Sequence, residues 1–151
     1  MSTSANVSSP ARSAARSISR RNVALVNALE LTGRSLLALL FLLSGVGKLG
    51  AYGATAAYMS SQGVPGALLP VVIATELLGA ITIILGWNTR IVAFLLADFS
   101  LLTALTFHNN LADQTQMIMF FKNISIAGGF LLLVAIGAGP LSLDSRSLKQ
   151  S

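Results

Sequence analysis

The chain has 151 residues, of which 54% are hydrophobic and 10% charged, with a net charge of +5 at pH 7. An average soluble domain carries roughly 25% charged residues, and the mean hydropathy here is +0.75. The composition therefore excludes a soluble domain on a membrane anchor and specifies an integral membrane protein with almost no soluble mass. With no cysteine and a single histidine, His108, the chain lacks the residues for an iron–sulfur cluster, a cysteine-held zinc, a bis-histidine haem or any multi-histidine metal site. Redox chemistry would need a diffusible cofactor or a partner subunit.

Residues 1–29 are rich in Ser, Ala and Arg, with Arg12, Arg16, Arg20 and Arg21 and no acid. This basic tail is expected to be disordered at first and amphipathic helical from about Ile18, lying on anionic membrane lipid. A transit-type targeting segment is the alternative, and no secretory h-region with a cleavage site follows the arginines. The basic residues are not interleaved with aromatics, so no nucleic-acid partner is expected.

Four apolar segments occupy residues 30–141: about 31–52, 66–87, 90–108 and 117–139. Each approaches the ~20 residues that span a bilayer as a helix. Strand alternation is absent, and lipid demands that backbone hydrogen bonds close within the segment, so the fold class is all-α, an integral membrane four-helix bundle. Residues 142–151 form a short tail. The link "WNTR" makes the second and third segments antiparallel neighbours, and "NNLADQTQ" joins the third to the fourth. The longer link "GATAAYMSSQGVPG" is expected to hold a short interfacial helix ended by Gly63–Val64–Pro65–Gly66. Pro70 is tolerable because the first turn of a helix has no intrahelical donor to lose. The five glycines Gly45, Gly47, Gly79, Gly128 and Gly129 are expected to permit close helix packing.

Four spans put both termini on one side. That side collects Arg12, Arg16, Arg20, Arg21, Arg90, Arg146 and Lys149, and the loops of the other side hold no Lys or Arg. The asymmetry predicts cytoplasmic termini. No tandem or inverted repeat is evident, which argues against a repeat-built transporter.

Ionisable residues inside the spans are costly and point to function by default. Counted back from the Trp87 turn and forward from Arg90, Glu76 and Asp98 both fall roughly 12–17 Å from the inner face, near mid-membrane. Lys122, Lys48 and His108 lie in the outer half. Such groups are expected to face the bundle interior and pair, with Lys122 reaching down toward Glu76, Lys48 contributing, and Asp98 either protonated or sharing a proton with Glu76. Helix glue is the competing role for this cluster. Arg34 and Lys48 read first as snorkelling anchors, and Asn123 either orients a ligand or bonds across helices.

The stretches "GRSLLALLFLLSGVGKLG", "SQGVPGALLP", "ATELLGA" with "LGWNTR", "LLTALTFHNN", "MFFKNISIAGGFLLL" and the closing "GPLSLD", in this order and spacing, resemble the DoxX family over about residues 31–144. The resemblance implies a four-helix bundle in the bacterial inner membrane, a multi-pass protein. Family members are described as oxidoreductase subunits. The name comes from a membrane subunit of a thiosulfate:quinone oxidoreductase, and relatives are described in a membrane complex that handles oxidative and thiol stress. By motif it falls on Arg34, Lys48, Glu76, His108, Lys122 and Asn123. Asp98 departs from the pattern, which more often has a small residue there.

The expected function is a quinone-reactive membrane subunit that receives electrons from a soluble or membrane redox partner. Glu76, Asp98 and His108 would be the catalytic proton-handling groups, and Lys122, Asn123 and Lys48 the groups that bind the quinone cofactor. No resident metal is expected, and a homo-oligomer is open. The alternatives are a structural subunit, in which the polar cluster only fixes helix rotation, and a small proton-coupled solute transporter.

Overall fold

A computed structural model gives the backbone of residues 10–147 and the side chains of residues 22–146. The chain runs α1 (Pro10–Gly50), α2 (Tyr52–Ser61), a single 3-10 turn at Gly66–Leu68, α3 (Leu69–Leu85), α4 (Thr89–Phe107), α5 (Gln114–Ile136) and a last short helix α6 (Leu143–Ser147). Four stretches are long and apolar enough to cross a membrane: Asn22–Gly50, Gly66–Leu85, Thr89–Phe107 and Gln114–Ile136. The bundle is the expected four-helix, all-α membrane architecture. Within the most apolar 18-residue stretch of each span, only 17–28% of the residues are buried in the chain, so most of the apolar surface is left for lipid.

Successive spans alternate in direction, which leaves both ends of the folded chain on one side, the terminal side. The opposite side is called distal below. At about 1.5 Å per residue, α1 is roughly 60 Å long, about twice the hydrocarbon thickness. Its first turns, Pro10 to Arg21, therefore extend beyond the span that begins at Asn22. Residues 10–29, read above as part of a separate tail, are helix continuous with the first span. The sequence predicts disorder up to about Ile18, but residues 10–17 are already helix; residues 1–9, and 148–151 of the C-terminal tail, lie outside the described residues. Residues 143–147 of that tail are α6.

Helix packing follows residue size. α1 packs on α3, α4 packs on α5, and the two pairs meet mainly through α3 and α4. The seam between α1 and α5 is thin. The buried core is rich in alanine: Ala38, Ala80, Ala93, Ala97 and Ala127 surround Phe41, Phe130, Leu96 and Ile83. Small residues let backbones approach closely where lipid removes the usual hydrophobic drive. Phe41 sits edge-on to Phe130 with ring centroids 5.4 Å apart, and tilted to Phe99 at 6.2 Å. These three rings tie α1, α4 and α5 together.

Three of the five glycines serve this packing. A Cβ on Gly45 would lie 2.7 Å from Leu77 Cδ2, one on Gly79 2.9 Å from Leu96 Cδ2, and one on Gly129 3.0 Å from Leu37 Cδ2. Gly47 and Gly128 face open space, which corrects their assignment to close contacts. They lie on the outward side of α1 and α5, where no neighbouring helix within the chain approaches.

The distal side is closed by the expected interfacial helix. α2 buries Met59 against Leu69 and Ile73. It ends in a turn where Gly63 takes φ 80°, a conformation open to glycine. Pro70 sits in the first turn of α3.

Candidate functional site

The one salt bridge among the described residues joins α1 to α3. Lys48 Nζ donates to Glu76 Oε1 at 2.7 Å and to Oε2 at 2.9 Å. Ser44 closes the triangle: its hydroxyl accepts from Lys48 Nζ at 2.6 Å and donates to Glu76 Oε1 at 3.1 Å. Ser44 and Lys48 are four residues apart on α1, so both project from one face toward α3. Measured from the distal helix ends, Ser44 and Glu76 lie about 10 Å deep and Lys48 about 3 Å, so the lysine stem reaches down to the carboxylate. Glu76 keeps 5% of its side-chain exposure and Lys48 keeps 24%. The partner of Glu76 is thus Lys48 rather than Lys122, and Lys48 is not a snorkelling anchor. α1 is the helix packed against α3, whereas α5, which carries Lys122, packs on α4.

The ion pair lines a cavity of about 300 Å³ in the distal half of the bundle. Its walls are apolar and aromatic, from Leu40, Phe41, Val72, Phe99 and Phe107. Thr55, Tyr58, Met59 and Val64 of the α2 region form its roof. Tyr58 stacks on Phe107, with centroids 5.8 Å apart and the rings 30° from parallel. Facing the ion pair across the cavity are His108, Lys122 and Asn123. His108 Nδ1 lies 2.8 Å from Gln116 Oε1. With the amide oxygen accepting, Nδ1 carries a hydrogen and donates it. Lys122 Nζ contacts only a thioether, Met119 Sδ at 3.1 Å, a weak acceptor. Its ammonium is therefore largely uncommitted. Asn123 Nδ2 donates to Met119 O at 3.0 Å, one turn back in α5, so it does not bond across helices. The hydroxyls of Ser100 and Thr103 also line the cavity and donate to Leu96 O and Phe99 O of their own helix. Toward the cavity they offer lone pairs.

Five of the six residues singled out for chemistry, namely Glu76, His108, Lys122, Asn123 and Lys48, thus share one cavity. Asp98 does not. It lies on the exposed face of α4 and takes no part in the cavity lining. The proton sharing expected between Asp98 and Glu76 has no geometric basis within one chain.

Arg34, read as a snorkelling anchor, is instead 2% exposed and works at the terminal side. Its Nη1 donates to Ala138 O and its Nη2 to Leu141 O. Gly137 and Gly139 take positive φ there and turn the chain back after α5, leaving carbonyls free to accept. Glu30 Oε2 is buried close to Gly139 and has no hydrogen-bond partner among the described residues. Asp144 then bonds the turn between α3 and α4. Its Oδ1 and Oδ2 accept from Asn88 N at 2.7 Å and Thr89 N at 3.0 Å, and its own N–H donates to Gly86 O at 2.9 Å. Asn88 itself supplies no side-chain cap, so two free N–H groups at the start of α4 are satisfied from outside the helix.

Ser44, the roof residues and Asp144 were not singled out from sequence. For Ser44 a signal existed: a serine one helical turn from an intramembrane lysine. Asp144 is marked only by contacts with backbone amides, which carry no sequence signature.

Fold and site together define a small polytopic membrane protein whose four helices enclose a polar-floored, aromatic-walled cavity next to one interface. The DoxX family model matches residues 29–109, more than half of the chain, and the chain belongs to the DoxX family. It is 46% identical over 114 residues to inner membrane protein YqjF of Escherichia coli K12, covering 76% of this chain and 88% of that one. It is 40% identical over 126 residues to inner membrane protein YphA of the same organism, covering 78% and 89%. No solved structure gives a significant match. The four spans and these relatives make it a multi-pass protein of the bacterial inner membrane.

Proposed function

We propose that the chain is the quinone-reactive membrane subunit of an oxidoreductase complex, with the distal cavity as the headgroup site. The observation that carries this reading is the presence of an uncommitted donor, Lys122, and a buried carboxylate, Glu76, in the lining of one apolar, aromatic-walled cavity. A quinone ring needs that combination: flat apolar walls, donors for its carbonyl oxygens, and groups that deliver protons as charge develops.

The residues fit such a group. Phe41, Phe99 and Phe107 offer faces and edges for a ring. Lys122 and Asn123 sit on one wall and can direct N–H groups at a carbonyl oxygen. His108 Nε2 can pass a proton arriving at the distal surface, and Glu76 can hold one against Lys48 and Ser44. A bound quinone supplies the two-electron, two-proton acceptor chemistry. Electrons come from a partner subunit, because a chain with no cysteine and one histidine offers no iron–sulfur cluster and no bis-histidine haem to carry them. The Lys and Arg asymmetry supports cytoplasmic termini, which puts the cavity in the periplasmic half.

One observation favours the rival role of a structural subunit. Both oxygens of Glu76 are already engaged by Lys48 and Ser44, as they would be in a helix lock. Lys122→Met separates the two readings because it leaves that triangle intact. Wild type, Lys122→Met and Glu76→Gln are purified in mild detergent, and extracted quinone is quantified by mass spectrometry. Stoichiometric quinone in the wild type, lost in Lys122→Met at unchanged thermal stability, supports the headgroup site. Absence of quinone from all three, with only Glu76→Gln destabilised, leaves the lock and removes the redox reading. Proton-driven solute uptake by the chain alone in proteoliposomes would favour a transporter instead.

A further inference from the structure

A membrane-spanning carboxylate that faces outward needs a partner from outside the chain. Asp98 is such a group. It lies at the midpoint of α4, about 13 Å from either end of that helix, in the middle of the hydrocarbon. The side chain is exposed, and no salt bridge or hydrogen bond engages it among the described residues. On the same face lie Ile91, Leu95, Leu102 and Leu105, each more than half exposed. Their spacing with Asp98 is 91, 95, 98, 102, 105, steps of four and three. That is the a/d seam of a left-handed helix pair, with an ionisable group at its central position.

We infer that α4 is the contact helix of a homodimer, in which the Asp98 carboxyl groups of two copies meet at mid-membrane. A twofold axis along the membrane normal keeps equivalent residues at equal depth, so Asp98 of one copy meets Asp98 of the other. Two carboxyl groups joined by one proton are self-complementary: the protonated oxygen donates and the ionised oxygen accepts. In hydrocarbon that bond replaces the water each group would otherwise lack. The flanking aliphatic residues are self-complementary as knobs and holes of the same seam, two turns to either side. A polar residue at one seam position also fixes register and stoichiometry, as a buried asparagine does in water-soluble coiled coils. A second copy is favoured over a different partner because the whole patch, carboxyl included, is complementary to itself. No exposed cation on the same face calls for an opposite charge.

The distal cavity plays no part in this surface. Phe99, Ser100 and Thr103 line it from the other side of α4, so dimerisation leaves it accessible.

The absence of cysteine makes the test direct. Leu95→Cys and Leu102→Cys report on the seam, and Leu132→Cys on the exposed face of α5 is the control. Each is oxidised in the full-length protein in vesicles of Escherichia coli lipid. The expected result is a disulfide-linked dimer from both seam positions and background from the control. Asp98→Leu should weaken association about tenfold, the change that follows from losing one interhelical hydrogen bond. Asp98→Asn, which can still bond to its own copy, should retain it. No hydrogen bond or ion pair holds Asp98 within the chain among the described residues, so Asp98→Leu should keep the monomer's fold, read as unchanged far-ultraviolet circular dichroism. If it does not fold, the two seam cysteines on the Asp98 background decide alone. Cross-linking at the seam no faster than at Leu132→Cys, association unchanged in Asp98→Leu, or disulfides only to a different polypeptide would overturn the proposal.

Discussion

Removing the ammonium from the Lys48–Glu76 pair should destabilise the bundle more than removing both charges. Lys48→Met keeps the stem and leaves Glu76, 5% exposed, without its counter-ion. Stripping one partner from a buried pair costs about 3–5 kcal/mol. Lys48 retains 24% exposure near the distal surface, where water screens part of the interaction, so the expected loss is about 2–3 kcal/mol. Glu76→Leu leaves a partly exposed lysine that can extend to the interface, and its loss should be smaller, about 1 kcal/mol. In the double variant neither charge is stranded, and its stability should exceed that of Lys48→Met. The double-mutant cycle should therefore show a coupling of about 2 kcal/mol. Equilibrium unfolding in mixed micelles, followed by far-ultraviolet circular dichroism across a denaturing-detergent titration, measures all four proteins. Coupling within about 0.5 kcal/mol of zero, the additivity of independent sites, would refute the argument that this pair stabilises the α1–α3 contact.

Three further outcomes follow from the packing and the terminal side. Gly45→Ala should cost about 1–3 kcal/mol because its Cβ meets Leu77 Cδ2 at 2.7 Å and Cγ at 2.8 Å. Gly47→Ala, in open space, should cost nothing on the same titration. Arg34→Met removes two charge-assisted bonds to Ala138 O and Leu141 O, a loss of about 3 kcal/mol, and should speed tryptic cleavage at Arg146 in detergent. An unchanged cleavage rate would show that Arg34 does not hold the C-terminal segment. Asp144→Ala uncaps α4 at Asn88 and Thr89 and should cost about 1 kcal/mol, with hydrogen exchange accelerated at those two amides and unchanged at mid-helix.

Much of the fold was legible because it depends on quantities that a sequence carries directly. Run length and hydropathy locate the four spans, and the Gly–Val–Pro–Gly turn marks the end of the short helix α2. Depth was legible too: counting residues along the spans puts Glu76 near mid-membrane and Lys48 above it in the outer half, within reach of a lysine stem. Lateral adjacency was not. The link from residue 51 to residue 68 is long enough to let the second span pack on either side of the first. Nothing local told α3–α1 contact from α3–α5 contact, so Lys122 looked as good a partner for Glu76 as Lys48. Arg34 was misread for a related reason. Its acceptors are backbone carbonyls, freed where Gly137 and Gly139 turn the chain, and backbone acceptors look alike at every residue.

Asp98 shows where the general rule needs restating. Intramembrane charges face inward and pair, and on that rule Asp98 was set beside Glu76 at equal depth. Equal depth is not enough, because the direction a side chain takes is fixed by its position around the helix. Asp98 is two residues from Ser100, which places the two about 200° apart around α4. Ser100 lines the cavity, so Asp98 faces away from it. The four aliphatic residues that share its face were in plain view at four- and three-residue steps, but they resemble any lipid-facing stripe until the carboxylate at their centre is seen to have no partner inside the chain. The physical requirement behind the rule is that the charge be satisfied, and the boundary within which it is satisfied is that of the assembly. In the inferred dimer Asp98 obeys the rule that it violates in one chain, and the seam cross-links read the size of the functional unit directly.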